Sequence, residues 1–118
     1  MSITQAKAGI IDVSEDRVID FARRIIGIPS ARYQEVALAE YLEGVMRGFG
    51  METVFVPVER GGMRTKNVVG RLRGSGSGPT VVLNAHMDTG SGQYRGLVFQ
   101  PENWTKDPFG GEVEDGWL

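Results

Sequence analysis

The sequence predicts an α/β fold in which helices pack on a mixed, mainly parallel sheet. Two stretches in the first half of the chain carry apolar residues at helical spacing, and three later stretches rich in β-branched residues are bounded by glycine or proline. The last of these, residues 80–89, contains the only histidine, His86. Because active sites of open α/β sheets lie at the carboxyl ends of strands, this strand end is the predicted site.

The first helix is predicted to begin at Ser14, whose side chain suits an N-cap, with Glu15 and Asp16 in its first turn. Gly27 and Pro29 are predicted to end it. An apolar stripe at helical spacing is expected to pack on a sheet. The stripe comprises Val18, Phe21, Ala22, Ile25 and Ile26.

The second helix is predicted from about residue 34 to residue 48. Gly48 or Gly50 is expected to take the left-handed conformation that ends many helices. Gly44 weakens a helix by about 1 kcal/mol relative to alanine, which is tolerable if a neighbouring element packs closely there. The apolar stripe of this helix is assigned to the core and comprises Leu38, Tyr41, Leu42, Val45 and Met46.

Residues 51–58 and 67–73 are predicted as strands joined by a glycine-containing turn over residues 60–66. Pro57 indicates an edge strand or a strand end. Residues 74–79 are predicted to form a flexible turn into the third strand. They do not predict a phosphate-binding loop, because they lack the Lys-Ser/Thr pair and precede a strand rather than a helix.

The spacing His86-x-Asp88 has a physical use at the end of a strand. Residues two apart on an extended segment point to the same side, so the Asp88 carboxylate can accept a hydrogen bond from one ring nitrogen of His86. The other nitrogen is then an oriented, neutral acceptor, as in many metal-ligating histidines. Taken alone, this short pattern more often marks a solvated histidine.

Other polar residues receive structural or solvated roles. Gln93 and Arg95 lie in a long loop and are candidates to meet a substrate carboxylate, but a solvated loop charge is the preferred interpretation. Asp107 precedes a proline and is predicted to be a turn residue. A solvated turn is also preferred for the acidic cluster of Glu112, Glu114 and Asp115.

Three elements in order resemble one enzyme family. An apolar strand leads into His-x-Asp-Thr at residues 86–89, a Trp-x-x-Asp-Pro-Phe element follows at residues 104–109, and an acidic-Gly turn lies at residues 114–116. The chain thus resembles the di-zinc metallohydrolases of the aminoacylase, acetylornithine deacetylase, succinyl-diaminopimelate desuccinylase and carboxypeptidase G family. Residues 28–30, Ile-Pro-Ser, are similar to the family's N-terminal pattern, whereas Gly90 departs from it.

The resemblance implies zinc-dependent hydrolysis of an amide or peptide bond next to a carboxylate-bearing amino acid, with two zinc ions per complete site and cobalt as an alternative. It makes His86 a zinc ligand and places Asp88 among the catalytic residues as the carboxylate that orients its ring. The family's other ligands, its general base and its dimerising lid domain lie further along. Residues 1–118 are therefore expected to be the N-terminal portion of a metallohydrolase catalytic domain, inactive alone, from a full-length homodimer.

Composition narrows the class of partner. The formal net charge of -2 argues against nucleic acid, which is normally met by a basic surface. The absence of cysteine excludes disulfides and fits a reducing compartment. No signal peptide and no apolar stretch of roughly 20 residues is evident, so we expect a cytoplasmic protein with no membrane partner and a small N-acyl amino acid or peptide as substrate.

Two other classes of function remain open. The chain could be a non-catalytic interaction or structural module that keeps the fold without the catalytic half. Alternatively, it could be a small α/β domain that binds a ligand through the loop after His86 without metal. Ligand affinity that is equal with and without a chelator would favour this second alternative.

Overall fold

The computed structural model describes residues 13–89 and 104–118. Its regular elements are α1 (Glu15–Ile26), α2 (Val36–Gly48), β1 (Glu52–Arg60) and β2 (Met63–Arg71). The predicted α/β class is confirmed. The described strands form one antiparallel pair, so the predicted mainly parallel character of the sheet is not seen among them.

α1 begins where the sequence predicts. Ser14 is the N-cap, and its Oγ accepts a hydrogen bond from the Arg17 main-chain N–H at 3.4 Å. No residue of α1 is buried, so the predicted packing of its apolar stripe on a sheet is wrong for the described structure. The Phe21 ring instead stacks on Tyr41 of α2, with 6.4 Å between ring centroids.

α2 begins at Val36, about two residues later than predicted, and contains the two buried apolar residues of the described structure, Leu38 and Ala39. It ends in a Schellman motif, because the Met51 N–H donates to the Met46 carbonyl and Gly50 takes a left-handed φ of 75°. The predicted left-handed glycine is confirmed at Gly50. Gly44 faces open space, so no close packing explains it.

The β1–β2 hairpin is tighter than predicted. Gly61 and Gly62 have φ values of 61° and 79°, as a two-residue type I′ turn requires, and β2 therefore begins at Met63. The predicted turn to residue 66 is wrong because two glycines reverse the chain without further residues. Pro57 lies inside β1 opposite Lys66, and β1 is an edge strand in the two-stranded sheet of the described residues, so the edge position is the predicted alternative that the structure confirms.

α2 covers one face of the hairpin. A side chain at Gly70 of β2 would meet the sulfur atoms of Met46 and Met51, at 2.8 and 2.9 Å from an ideal Cβ. Lys66 Nζ lies 3.9 Å from the centre of the Phe55 ring and 2.7 Å from a carboxylate oxygen of Glu40 on α2. The core of the described structure therefore lies between α2 and this hairpin.

Residues 80–88 do not form the predicted buried strand. Val81, Val82 and Leu83 are 76%, 81% and 92% exposed. A strand requires a hydrogen-bonding neighbour, and none of the described residues pairs with this segment along its length. Its one β-bridge is at its end, where Thr89 lies parallel to Ala31.

No helix among the described residues is long and apolar enough to cross a membrane.

Candidate functional site

The end of the segment that carries His86 is attached to the loop between α1 and α2. The Thr89 main-chain N–H donates to the Ser30 carbonyl oxygen at 2.9 Å, and Thr89 forms a parallel bridge with Ala31. Ser30 is 1% exposed. The structure thus joins the Ile-Pro-Ser stretch to the His-x-Asp-Thr stretch, 59 positions apart in the numbering of Ser30 and Thr89.

The structure brings His86 and Asp88 together. His86 Nδ1 lies 2.8 Å from the Asp88 main-chain carbonyl oxygen and 3.3 Å from its carboxylate Oδ1. The sequence predicted the carboxylate as the partner of the ring, and the nearer acceptor is the carbonyl. No spacing of side-chain types signals this contact, because every residue carries a main-chain carbonyl.

This geometry favours one tautomer of the neutral imidazole. A carbonyl oxygen accepts only, so Nδ1 must be the donor to Asp88. Nε2 then holds the lone pair, and the His86 side chain is 84% exposed. The ring is therefore oriented to offer one nitrogen to a ligand that approaches from solvent.

Among the described residues, the donor atoms around His86 are too few for the metal that the resemblance implies. Zinc takes three or four protein ligands in enzyme sites. Within residues 13–89 and 104–118, no three His, Cys, Asp or Glu side chains are grouped to hold a metal ion. His86 fits the role of a single imidazole ligand, and the described residues do not complete a zinc site.

The loop that attaches Thr89 contains a second feature that the sequence did not reveal. Glu35 is 8% exposed, and both of its carboxylate oxygens accept hydrogen bonds. Oε1 accepts from the Tyr33 main-chain N–H at 2.8 Å, and Oε2 accepts from the Thr65 hydroxyl of β2 at 2.7 Å. Glu35 lies inside the predicted second helix, and no sequence pattern marks it, because its partners are a main-chain N–H and a distant hydroxyl.

Residues 104–118 form turns beside α1. Asp107 Oδ1 accepts from the Phe109 N–H at 3.0 Å, which confirms its predicted turn role. Gly111, with a φ of 57°, is buried against Arg23, whose Nε donates to the Gly111 carbonyl at 2.8 Å. Both main-chain bonds between Glu114 and Trp117 are 2.9 Å, forming the predicted acidic-Gly turn.

The acidic cluster near the end of the chain is paired with a cation. Lys106 Nζ forms ion pairs with Glu112, at 3.7 Å, and with Glu114. All three side chains are more than half exposed, which agrees with the predicted solvated turn. Gln93 and Arg95 lie outside the described residues.

Comparison with known proteins gives partial matches. The chain is 31% identical over 94 residues to a succinyl-diaminopimelate desuccinylase of Cereibacter sphaeroides, and 32% identical over 98 residues to that of Rhodospirillum rubrum. These matches cover 80% and 82% of the chain. A thermostable carboxypeptidase of Saccharolobus solfataricus is 36% identical over 74 residues, or 63% of the chain and 18% of that protein.

The chain spans about a fifth of the length of the desuccinylases it matches, 22% in each case. No family model and no solved structure matches the chain. The similarity supports a relationship to a family of hydrolases that includes desuccinylases and carboxypeptidases.

Proposed function

We propose that this chain contributes His86 as one imidazole ligand of a zinc-dependent hydrolase of amide or peptide bonds. The observation that carries the proposal is the 2.8 Å contact from His86 Nδ1 to the Asp88 carbonyl oxygen, which leaves Nε2 free to bind an ion. Ring orientation by a carbonyl or carboxylate is a usual feature of metal-ligating histidines. Asp88 positions this ring through its carbonyl, with its carboxylate 3.3 Å from the same nitrogen.

The similar proteins support the proposed substrate class. A desuccinylase and a carboxypeptidase support an N-acyl amino acid or a peptide as the substrate. We place the whole protein in the cytoplasm, acting as a homodimer with two zinc ions per site or cobalt in their place. When bound, a zinc ion supplies the electrophilic activation that amide hydrolysis needs. The remaining ligands must come from outside the set of described residues, since one imidazole does not make a site.

Calorimetric zinc titration tests the role of His86. The 118-residue chain should bind zinc weakly, and His86→Ala should reduce this affinity at least tenfold, because the only imidazole is lost. Asn84→Ala is the matched control, since it truncates an exposed side chain of the same segment. It should leave zinc affinity unchanged. Equal affinity in His86→Ala and the original chain would overturn the proposal.

The proposed activity is tested with the full-length protein that the gene encodes. It should bind about two zinc ions and lose one in His86→Ala. It should also hydrolyse an N-succinyl amino acid or a dipeptide, with loss of activity on chelation. Absence of zinc binding in that protein would leave only a likeness of sequence and fold.

A non-catalytic interaction module is the second candidate function. The exposed apolar residues Val81, Val82 and Leu83 favour it, because contiguous exposed apolar surface often marks a contact with another protein. A zinc-independent partner that requires these three side chains, together with unchanged binding in His86→Ala, would support this alternative over the hydrolase.

A further inference from the structure

We infer that the loop between α1 and α2 positions the His86 ring, with Glu35 as the positioning residue that fixes this loop to β2. The inference deepens the proposed function. It rests on that function for the reason why the His86 ring should be held in one orientation. Its physical content is a continuous series of contacts from the hairpin to the imidazole, which can be tested without metal.

The first contact fixes the loop to the hairpin. Glu35 is 8% exposed, and its two oxygens bind partners on different elements, the Tyr33 N–H and the Thr65 hydroxyl. A nearly buried carboxylate that accepts from both sides restrains the chain between them, because losing either bond leaves a desolvated charge short of a partner. Glu35 also precedes the first residue of α2, where negative charge is favoured.

The second contact concerns the shape of the loop itself. Tyr33 has a φ of 68°, a left-handed conformation that is unfavourable for a non-glycine residue. The N–H that donates to Glu35 therefore belongs to the strained residue, Tyr33. The hydrogen bond compensates for the strain. The Gln34 N–H donates to the Ala31 carbonyl at 2.7 Å, which closes the loop beside Ser30.

The third contact joins the loop to the histidine segment through a single peptide group. The Thr89 N–H donates to the Ser30 carbonyl at 2.9 Å, and the Asp88 carbonyl oxygen lies 2.8 Å from His86 Nδ1. These N–H and C=O groups belong to the same planar peptide unit, in which they point in opposite directions. Fixing the N–H on Ser30 therefore directs the carbonyl at the imidazole, and donation by one end strengthens acceptance at the other.

The tautomer of His86 measures this positioning directly. With one histidine in the chain, its ring nitrogens give unambiguous signals in ¹⁵N NMR. At about pH 9, where an imidazole is neutral, the contact to Asp88 should raise the population with hydrogen on Nδ1. The reference is the free peptide of residues 84–89 in the same buffer. One exposed hydrogen bond should shift the tautomer ratio roughly two- to tenfold from that reference.

Thr89→Pro removes the N–H of the shared peptide unit and keeps the Asp88 carbonyl. We expect its tautomer ratio to return towards that of the free peptide. Thr89→Val is the matched control, because it changes the side chain and keeps the N–H. It should retain the ratio of the original chain. The same ratio in Thr89→Pro and Thr89→Val would overturn the inference.

Glu35→Ala tests the far end of the series. It should shift the tautomer ratio in the same direction as Thr89→Pro, and Glu35→Gln, which keeps an acceptor for the Tyr33 N–H, should restore part of it. A merely structural Glu35 would lower the melting temperature and leave the ratio unchanged, which would contradict its positioning role. If Glu35→Ala does not fold, Thr65→Val takes its place, because it removes the hydroxyl that joins Glu35 to β2. An unchanged tautomer ratio in Thr65→Val would then count against that role.

This test separates the inference from the proposed function. If Thr89→Pro shifts the tautomer ratio but His86→Ala leaves zinc affinity unchanged, the positioning role of the loop is supported and the zinc site is rejected. If Thr89→Pro leaves the tautomer ratio unchanged but zinc affinity depends on His86, the zinc site is supported and the positioning role of the loop is rejected.

Discussion

At the scale of single residues, the central finding is that a main-chain group holds the candidate metal ligand. His86 Nδ1 is 0.5 Å closer to the Asp88 carbonyl than to the Asp88 carboxylate, at 2.8 Å against 3.3 Å. A side-chain substitution leaves this carbonyl in place. The orientation of the ring should therefore depend more on the backbone conformation of residues 86–89 than on the charge at position 88.

Asp88→Ala provides the corresponding prediction. Loss of a side-chain partner of a ligating histidine usually reduces metal affinity 10- to 100-fold. Because the carbonyl remains, we expect Asp88→Ala to reduce zinc affinity less than about tenfold in calorimetric titration, and less than Thr89→Pro does. A loss of about 100-fold, with Asp88→Asn retaining more affinity than Asp88→Ala, would assign the main orienting role to the carboxylate instead.

At the scale of elements, the features predicted correctly are those that depend on neighbouring residues in the sequence. The Ser14 cap and the left-handed Gly50 depend on one or two neighbouring residues, and both were predicted correctly. The burial of the α1 stripe depends on a distant partner that periodicity cannot identify, and this prediction was wrong. Similarly, β-branched residues at 81 and 82 show strand propensity, but only a neighbouring strand would turn that propensity into a ladder.

The candidate site divides in the same way. The pair His86 and Asp88 was evident from spacing, because a two-residue separation on an extended segment is a local property. The attachment of Thr89 to Ser30 and the bridging by Glu35 could not be predicted from spacing. The first joins distant segments through an N–H and a carbonyl, and the second does so through a carboxylate. No periodic pattern encodes such contacts.

The contact between α2 and β1 should make stability depend on pH. The Thr53 hydroxyl donates to Glu43 Oε1 at 2.6 Å, and Arg47 pairs with the same oxygen. The Thr53 hydrogen bond, followed by that from Arg47, lowers the pKa of Glu43 below its ordinary value of 4.5. A carboxylate with a lowered pKa in the folded state stabilises fully above its ordinary pKa, and this contribution is lost as the pH falls through the lowered value.

We therefore predict that Glu43→Gln lowers the urea midpoint at pH 7, and that its difference from the original chain shrinks as the pH falls below 4.5. Thr53→Val, which removes the largest cause of the shift, should also weaken the acid dependence of the midpoint. Both are measured by urea unfolding at pH 7, 5 and 3. If the urea midpoints of all three proteins change in parallel with pH, this contact does not contribute to the pH dependence of stability.

At the scale of the whole molecule, little of the described chain is enclosed. Leu38 and Ala39 are the buried apolar residues among those described, while many large apolar side chains are exposed. The radius of gyration of 18.4 Å exceeds the roughly 13 Å of a compact domain of about this size. The exposed segment at residues 80–88 combines apolar side chains with a main chain that forms no ladder among the described residues, which favours pairing with another chain.

The isolated 118-residue chain should accordingly self-associate through this segment. We expect oligomers in sedimentation velocity at tens of micromolar, and Leu83→Lys should shift association to at least tenfold higher concentration, because it replaces the most exposed of the three apolar side chains. Asn84→Lys adds the same charge without removing apolar surface, so it should shift association less. The melting temperature of the dilute monomer should be similar in both variants, since neither side chain is buried. A monomer at 100 µM with a cooperative melt would contradict this prediction and require residues 80–88 to be covered within one chain.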